Sequence, residues 1–217
     1  MKKHTIIGSL IAALMITLAL PGLANDKKYE EAMKKNILAV YQAQSIPELQ
    51  QAVNALQRIG DAEKTKWEPY YYAAFGYVLM ATWETEGAKK DAHLDLAMTA
   101  VDKAKSIASN ESEVIAMEGF VHMIRLTVDP ASRGQQFSGL AMQCFAKAVE
   151  LNPENPRALA LMARMQFGTA QFFNASTAEA CATAARAHEK LQSYQSENPL
   201  APTWGKEMIE EMTALCK

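Results

Sequence analysis

A pattern of small and large residues recurs along this chain every 44 to 45 positions. Tyr70, Ala73, Ala74 and Tyr77 align with Ile115, Glu118, Gly119 and His122, and these align with Leu159, Met162, Ala163 and Gln166. Downstream, Ala97-x3-Val101-x2-Ala104-x4-Ser109 aligns with Ala141-x3-Phe145-x2-Ala148-x4-Pro153. A fixed period of roughly 20–50 residues belongs to stacked architectures, in which a unit buries its apolar face only against its neighbours. The repeat constrains the fold more than any other feature. It names no substrate.

The repeating unit reads as helix. Ala, Leu, Met, Lys and Glu dominate, and no alternation of apolar residues marks a strand. Nine helices are predicted, near 26–44, 46–60, 67–85, 89–108, 111–128, 133–151, 156–168, 177–195 and 202–216. Ser45-x-x-Glu48 and Ser176-x-x-Glu179 have the form of capping boxes, where side chains satisfy free backbone donors at a helix start. Pro47, Pro69, Pro156 and Pro202 fall in expected first turns, where a missing N–H costs nothing. With no low-complexity linker or shift in composition, residues 25–217 read as one domain of antiparallel helix pairs.

The positions of Ala141, Phe145, Ala148 and Pro153, followed by Leu159, Met162 and Ala163, resemble the tetratricopeptide repeat. The segment Leu151-Asn152-Pro153-Glu154-Asn155-Pro156 is similar to the junction between two such repeats, and the layout resembles that of exported bacterial proteins of this kind. The resemblance implies an all-α, right-handed superhelix of antiparallel helix pairs. This chain departs from the usual unit of 34 residues by about ten extra residues per unit, placed between the first and second helices, as at 77–97 and 122–141.

Met1–Ala24 has the form of a secretory signal: Lys2 and Lys3, an apolar run from Ile6 to Leu20, then Gly22-Leu23-Ala24 as a cleavage site. The run is too short for a membrane span, which needs about 20 apolar residues. An exported, periplasmic or secreted protein is expected, with no membrane segment after cleavage. Removing the leader takes away Lys2 and Lys3 and no acid. That leaves 193 residues with 20 basic and 24 acidic side chains, a formal charge of −4. A mildly acidic chain argues against a nucleic-acid partner.

The three cysteines are Cys144, Cys181 and Cys216. In an oxidising compartment they read as one disulfide and one leftover thiol. Cys181 and Cys216 sit on the last two helices and are the favoured pair, while Cys144 lies among core positions. None has metal-site spacing, and no cofactor is indicated.

No catalytic motif was found. His93, His122 and His188 are scattered, and no His-Glu-x-x-His, phosphate-binding glycine loop or Gly-x-Ser-x-Gly occurs. His122 is expected to pack between helices. Met117, Met123, Met162 and Met165 suit gap filling better than a soft-metal site. A non-enzymatic protein follows.

Two surfaces stand out as binding candidates. The resemblance places the first helix of each unit on a concave face, which assigns Tyr71, Phe75, Phe120, Met123, Arg157, Arg164 and Phe167 to a groove. That groove suits an extended peptide or protein segment, with arginine holding a carboxylate. Alternatively, the C-terminal helices fold over it and make the aromatics ordinary core. The second surface is the lengthened edge, with Trp83, Arg133, Phe137 and Phe172, where Arg133 is expected to pair with Asp129. Protein or peptide binding in the groove is the leading expectation. The alternatives are a small-ligand carrier or enzyme with its site at that edge, and a structural subunit of an envelope assembly.

Overall fold

A computed structural model describes residues 21–216, with side chains from Asp26 onward; the expected apolar leader run, Ile6–Leu20, lies outside the described residues. Nine helices fill the described residues: α1 (Pro21–Gln42), α2 (Ile46–Glu63), α3 (Glu68–Trp83), α4 (Gly87–Ile107), α5 (Ser112–Leu126), α6 (Pro130–Leu151), α7 (Pro156–Phe172), α8 (Ala178–Ser193) and α9 (Lys206–Leu215). Each helix packs against its sequence neighbours, and the odd-numbered helices also pack against one another in order, from α1 to α9. The result is a superhelix of antiparallel pairs. α1, α3, α5, α7 and α9 make one layer, and α2, α4, α6 and α8 make the other. No helix among the described residues is long and apolar enough to cross a membrane.

Small residues set the close approach within the pairs. Ala97, Ala100 and Ala104 of α4 and Ala141 and Ala148 of α6 are buried at the seams. At Gly119 a Cβ atom would lie 2.5 Å from the Phe145 ring and 2.9 Å from Cys144 Cβ, so glycine lets α6 close onto α5. Gly76 does the same for α3 and α2, where a Cβ would stand 2.4 Å from Val53. α3 is the hub. Thirteen of its sixteen residues are buried, which matches a helix that is apolar on every side.

Caps follow the sequence in part. Ser45 Oγ accepts from Glu48 N, and Glu48 Oε2 accepts from Gln44 N. Asn155 Oδ1 accepts from Arg157 N and Ala158 N at the start of α7. The expected box at Ser176–Glu179 does not close: Thr177 is the N-cap residue, and Glu179 instead accepts from Gln166 Nε2. Pro202 is not in a helix either, because α9 begins only at Lys206, after Gly205 at φ 103°.

The extra residues of each repeat do not form loops between paired helices, as the sequence suggested. The connections are short, at 84–86 and 127–129, and the added residues extend the helices, giving α4 and α6 21 and 22 residues.

Candidate functional site

The concave layer is already occupied. After α8 the chain returns across it as a non-helical strap, residues 196–205, with a turn at Pro199–Leu200 closed by the Ala201 amide donating to the Asn198 carbonyl at 3.0 Å. Tyr72 Oη donates to the Leu200 carbonyl at 2.8 Å, Asn198 Nδ2 donates to Glu68 Oε1 at 3.1 Å, and the Thr203 amide donates to Tyr41 Oη at 3.3 Å. Trp204 stacks on both Phe75 and Phe120, with ring centroids 4.8 and 5.7 Å apart. Its Nε1–H donates to Tyr71 Oη at 2.9 Å.

Beneath the strap lies a buried ion pair. Tyr71 Oη donates to Glu113 Oε2 at 3.1 Å, and the two oxygens of Glu113 accept from Arg157 Nε and Nη2 at 2.6 to 3.0 Å. The Arg157 guanidinium stands 4.6 Å from the centre of the Tyr194 ring. Gly205 backs onto it so closely that a Cβ would lie 3.1 Å from Arg157 Cγ. Burial works against the arginine's charge, but Glu113 outweighs it and raises the pKa further. Burial, then the Glu113 charge, holds the Tyr71 phenol far above its ordinary range.

The expected groove therefore divides into separate environments. Tyr71, Phe75, Met123 and Arg157 are buried, and Arg157 is only 1% exposed. Arg157, expected to hold a peptide carboxylate, already has its carboxylate in Glu113. Phe120 is covered by Trp204, and Phe167 packs beside Ala163, Ala184 and Met212. Arg164 alone among the seven is exposed, 3.4 Å from Glu211. The strap's contacts went unread because its residues carry no repeat. The ion pair did leave a signal: Glu68, Glu113 and Arg157 occupy one repeat position, so the pairing partners lie one period apart.

The edge where α3, α5 and α7 end is more open. Phe172 is 78% and Phe173 71% exposed, their rings 5.0 Å apart and perpendicular, and Trp83 is 42% exposed. Asn174, at φ 51°, turns the chain just after them. Phe137 stacks on His122 at 5.9 Å and lies 6.0 Å from the Arg125 guanidinium. Arg133 does not pair with Asp129. Its two terminal nitrogens donate to the two oxygens of Asp91 on α4, at 2.7 and 2.8 Å, while Asp129 caps α6 by accepting from Ser132. Arg125 adds Asp95, at 2.7 Å. The charges at this edge are mutually satisfied, and its aromatics face water. Such a surface can bind a flat apolar molecule by stacking.

Cys181 on α8 and Cys216 after α9 form a disulfide, their Cα atoms 5.5 Å apart. Two shallow, solvent-open clefts between α1 and α2, of about 420 and 490 Å³, share Asn36, Ala55 and Arg58 in their walls.

These features define a class: an all-helical repeat protein whose concave groove is filled by its own chain and whose most exposed aromatic rings, Phe172 and Phe173, sit together at the end of α7. No family model and no curated protein matches the chain. Among solved structures it is similar to the HusA haemophore from Porphyromonas gingivalis, with 25% sequence identity and a TM-score of 0.78. The match covers 87% of this chain and 92% of that one, so the likeness runs through nearly the whole repeat array.

Proposed function

We propose that this protein is an exported, non-enzymatic carrier of a small, flat, apolar ligand of the haem class, built on a tetratricopeptide-like scaffold. The observation that carries the reading is the filled groove. A tetratricopeptide adaptor needs its concave face free for a peptide, and here Trp204 and Leu200 already occupy it. The exposed, adjoining rings of Phe172 and Phe173 supply stacking surface instead. Arg164, on the same helix as Phe172 and held loosely by Glu211, is a cation available to a ligand carboxylate. The likeness to a haemophore favours a carrier over a peptide adaptor. The likeness to a haemophore also supports a place of work outside the cytoplasm, in keeping with the expected leader.

The test is a titration of the purified mature protein with haemin and with metal-free protoporphyrin, followed by absorbance and tryptophan fluorescence. Saturable binding of at least one tetrapyrrole is expected. The double variant Phe172→Ala/Phe173→Ala should weaken it about tenfold, since each lost aromatic contact is worth roughly 0.5–1.5 kcal/mol. Absence of binding by the wild type sinks the carrier reading. Unchanged affinity in the double variant sinks the assignment to this edge.

A further inference from the structure

We propose that Glu118, His122 and Cys144 form a binding site for a divalent ion of the zinc class. The ligand atoms these residues offer lie within 4.8 Å of one another. Carboxylate, imidazole and thiolate are the donors zinc takes, and three protein ligands leave a fourth position open.

The repeat shows that these residues are out of place as packing. At the position of Glu118 the neighbouring units carry Ala73 and Met162, and at that of His122 they carry Tyr77 and Gln166. Only the middle unit puts a carboxylate and an imidazole four residues apart on one face of its first helix, where i and i+4 side chains meet. Gly119, between them, brings α6 close enough to deliver Cys144 from the opposite side. Cys144 is free because Cys181 and Cys216 are joined to each other.

One nitrogen of the imidazole also lacks a hydrogen-bond partner. His122 Nδ1 is buried and bonded to nothing. A ring nitrogen desolvated without compensation is costly, and an ion would repay the cost. Coordination releases the thiol proton to solvent, so affinity rises with pH. Two cations face the cluster. Lys105 Nζ donates to Glu118 Oε2 at 2.7 Å, and Arg125, turned toward Asp91 and Asp95, lies near His122. Lys105 is on a flexible, partly exposed side chain and engages one carboxylate oxygen, so the other stays available to an ion.

Sequence spacing could not show this site. Its ligands come from two helices, 22 residues apart at the closest approach to Cys144.

The experiment uses the mature protein with its disulfide intact and no reductant, so that one thiol per chain is free. Cobalt(II) is titrated as a spectroscopic stand-in for zinc, with zinc as competitor. The expected result is a thiolate-to-cobalt charge-transfer band that saturates near one ion per chain, is displaced by zinc, and strengthens from pH 6 to pH 8. Cys144→Ser should abolish the band. His122→Ala should weaken binding by at least about tenfold, since even an outer-shell partner is worth that much. His188→Ala, on α8, should change nothing. Because Cys144→Ser could disturb packing, zinc protection of the wild-type thiol from maleimide gives a second readout. No charge-transfer band, a band that survives Cys144→Ser, or a thiol that zinc fails to protect overturns the proposal.

Discussion

Arg157→Met should destabilise the protein more than almost any other single change, and a second substitution should restore most of the loss. Arg157 is 1% exposed, and its nitrogens satisfy both oxygens of Glu113. Methionine matches much of the volume and removes the charge. Glu113 then keeps a desolvated carboxylate with Tyr71 Oη as its remaining side-chain donor. Breaking one half of a buried pair costs about 3–5 kcal/mol, because the partner's charge is left uncompensated. For a chain of this length 1 kcal/mol moves the melting point by roughly 2–4 °C. The variant should therefore melt about 10 °C lower in a calorimetric or circular-dichroism scan. In Arg157→Met/Glu113→Gln the orphaned charge is gone and Tyr71 still has an acceptor, so more than half the loss should return. A single variant within about 1 kcal/mol of wild type would show that the pair is not buried as described. A double variant as unstable as the single would show that packing, not charge, governs the site.

Trp204→Ala should cost about 2–4 kcal/mol, somewhat below the usual range for a buried tryptophan because the ring is partly exposed. It should also make residues 196–205 the first site of limited proteolysis. Gly119→Ala should destabilise by about 1–2 kcal/mol despite alanine's better helix propensity, since its Cβ meets the buried Phe145 ring at 2.5 Å. Arg133 holds the Asp91 carboxyl below its ordinary range, so Asp91 contributes stability above that range and loses it as pH falls through the lowered value. The stability gap between wild type and Asp91→Asn, measured by urea denaturation, should be full near pH 7 and shrink below about pH 4.

The repeat made the helices and their order readable, because a 44-residue period with small residues at fixed places permits little else. The ends were harder. The breakers in the added stretches, Gly87 and Pro130, stand at the starts of α4 and α6, where they are tolerated, so most of the added residues become helix where an insertion into the family pattern suggested loops. The edge aromatics could be named from the sequence, but not their ties. Arg133 finds Asp91, 42 residues away, over the nearby Asp129, because Asp129 is taken by the cap of α6. The groove residues were likewise visible, while their burial was not. It depends on Asn198, Leu200 and Trp204, which reach α3 across about 130 positions of chain and belong to no repeat. No local rule predicts where such a strap lands. It is the element that changes the functional reading.

That reading makes the position of the ligand its central claim, and the backbone amides of Phe172 and Phe173 and the indole N–H of Trp204 report on it. Phe172 and Phe173 lie at the open edge and Trp204 in the filled groove. A nitrogen–proton correlation spectrum should be recorded as gallium protoporphyrin, a diamagnetic stand-in for haem, is added. The account predicts that the Phe172 and Phe173 amide signals shift saturably, while the Trp204 indole signal keeps its place because its N–H remains bonded to Tyr71. A shift of the Trp204 indole with the Phe172 and Phe173 amides unmoved would mean that the ligand displaces the strap and enters the groove, contradicting the account.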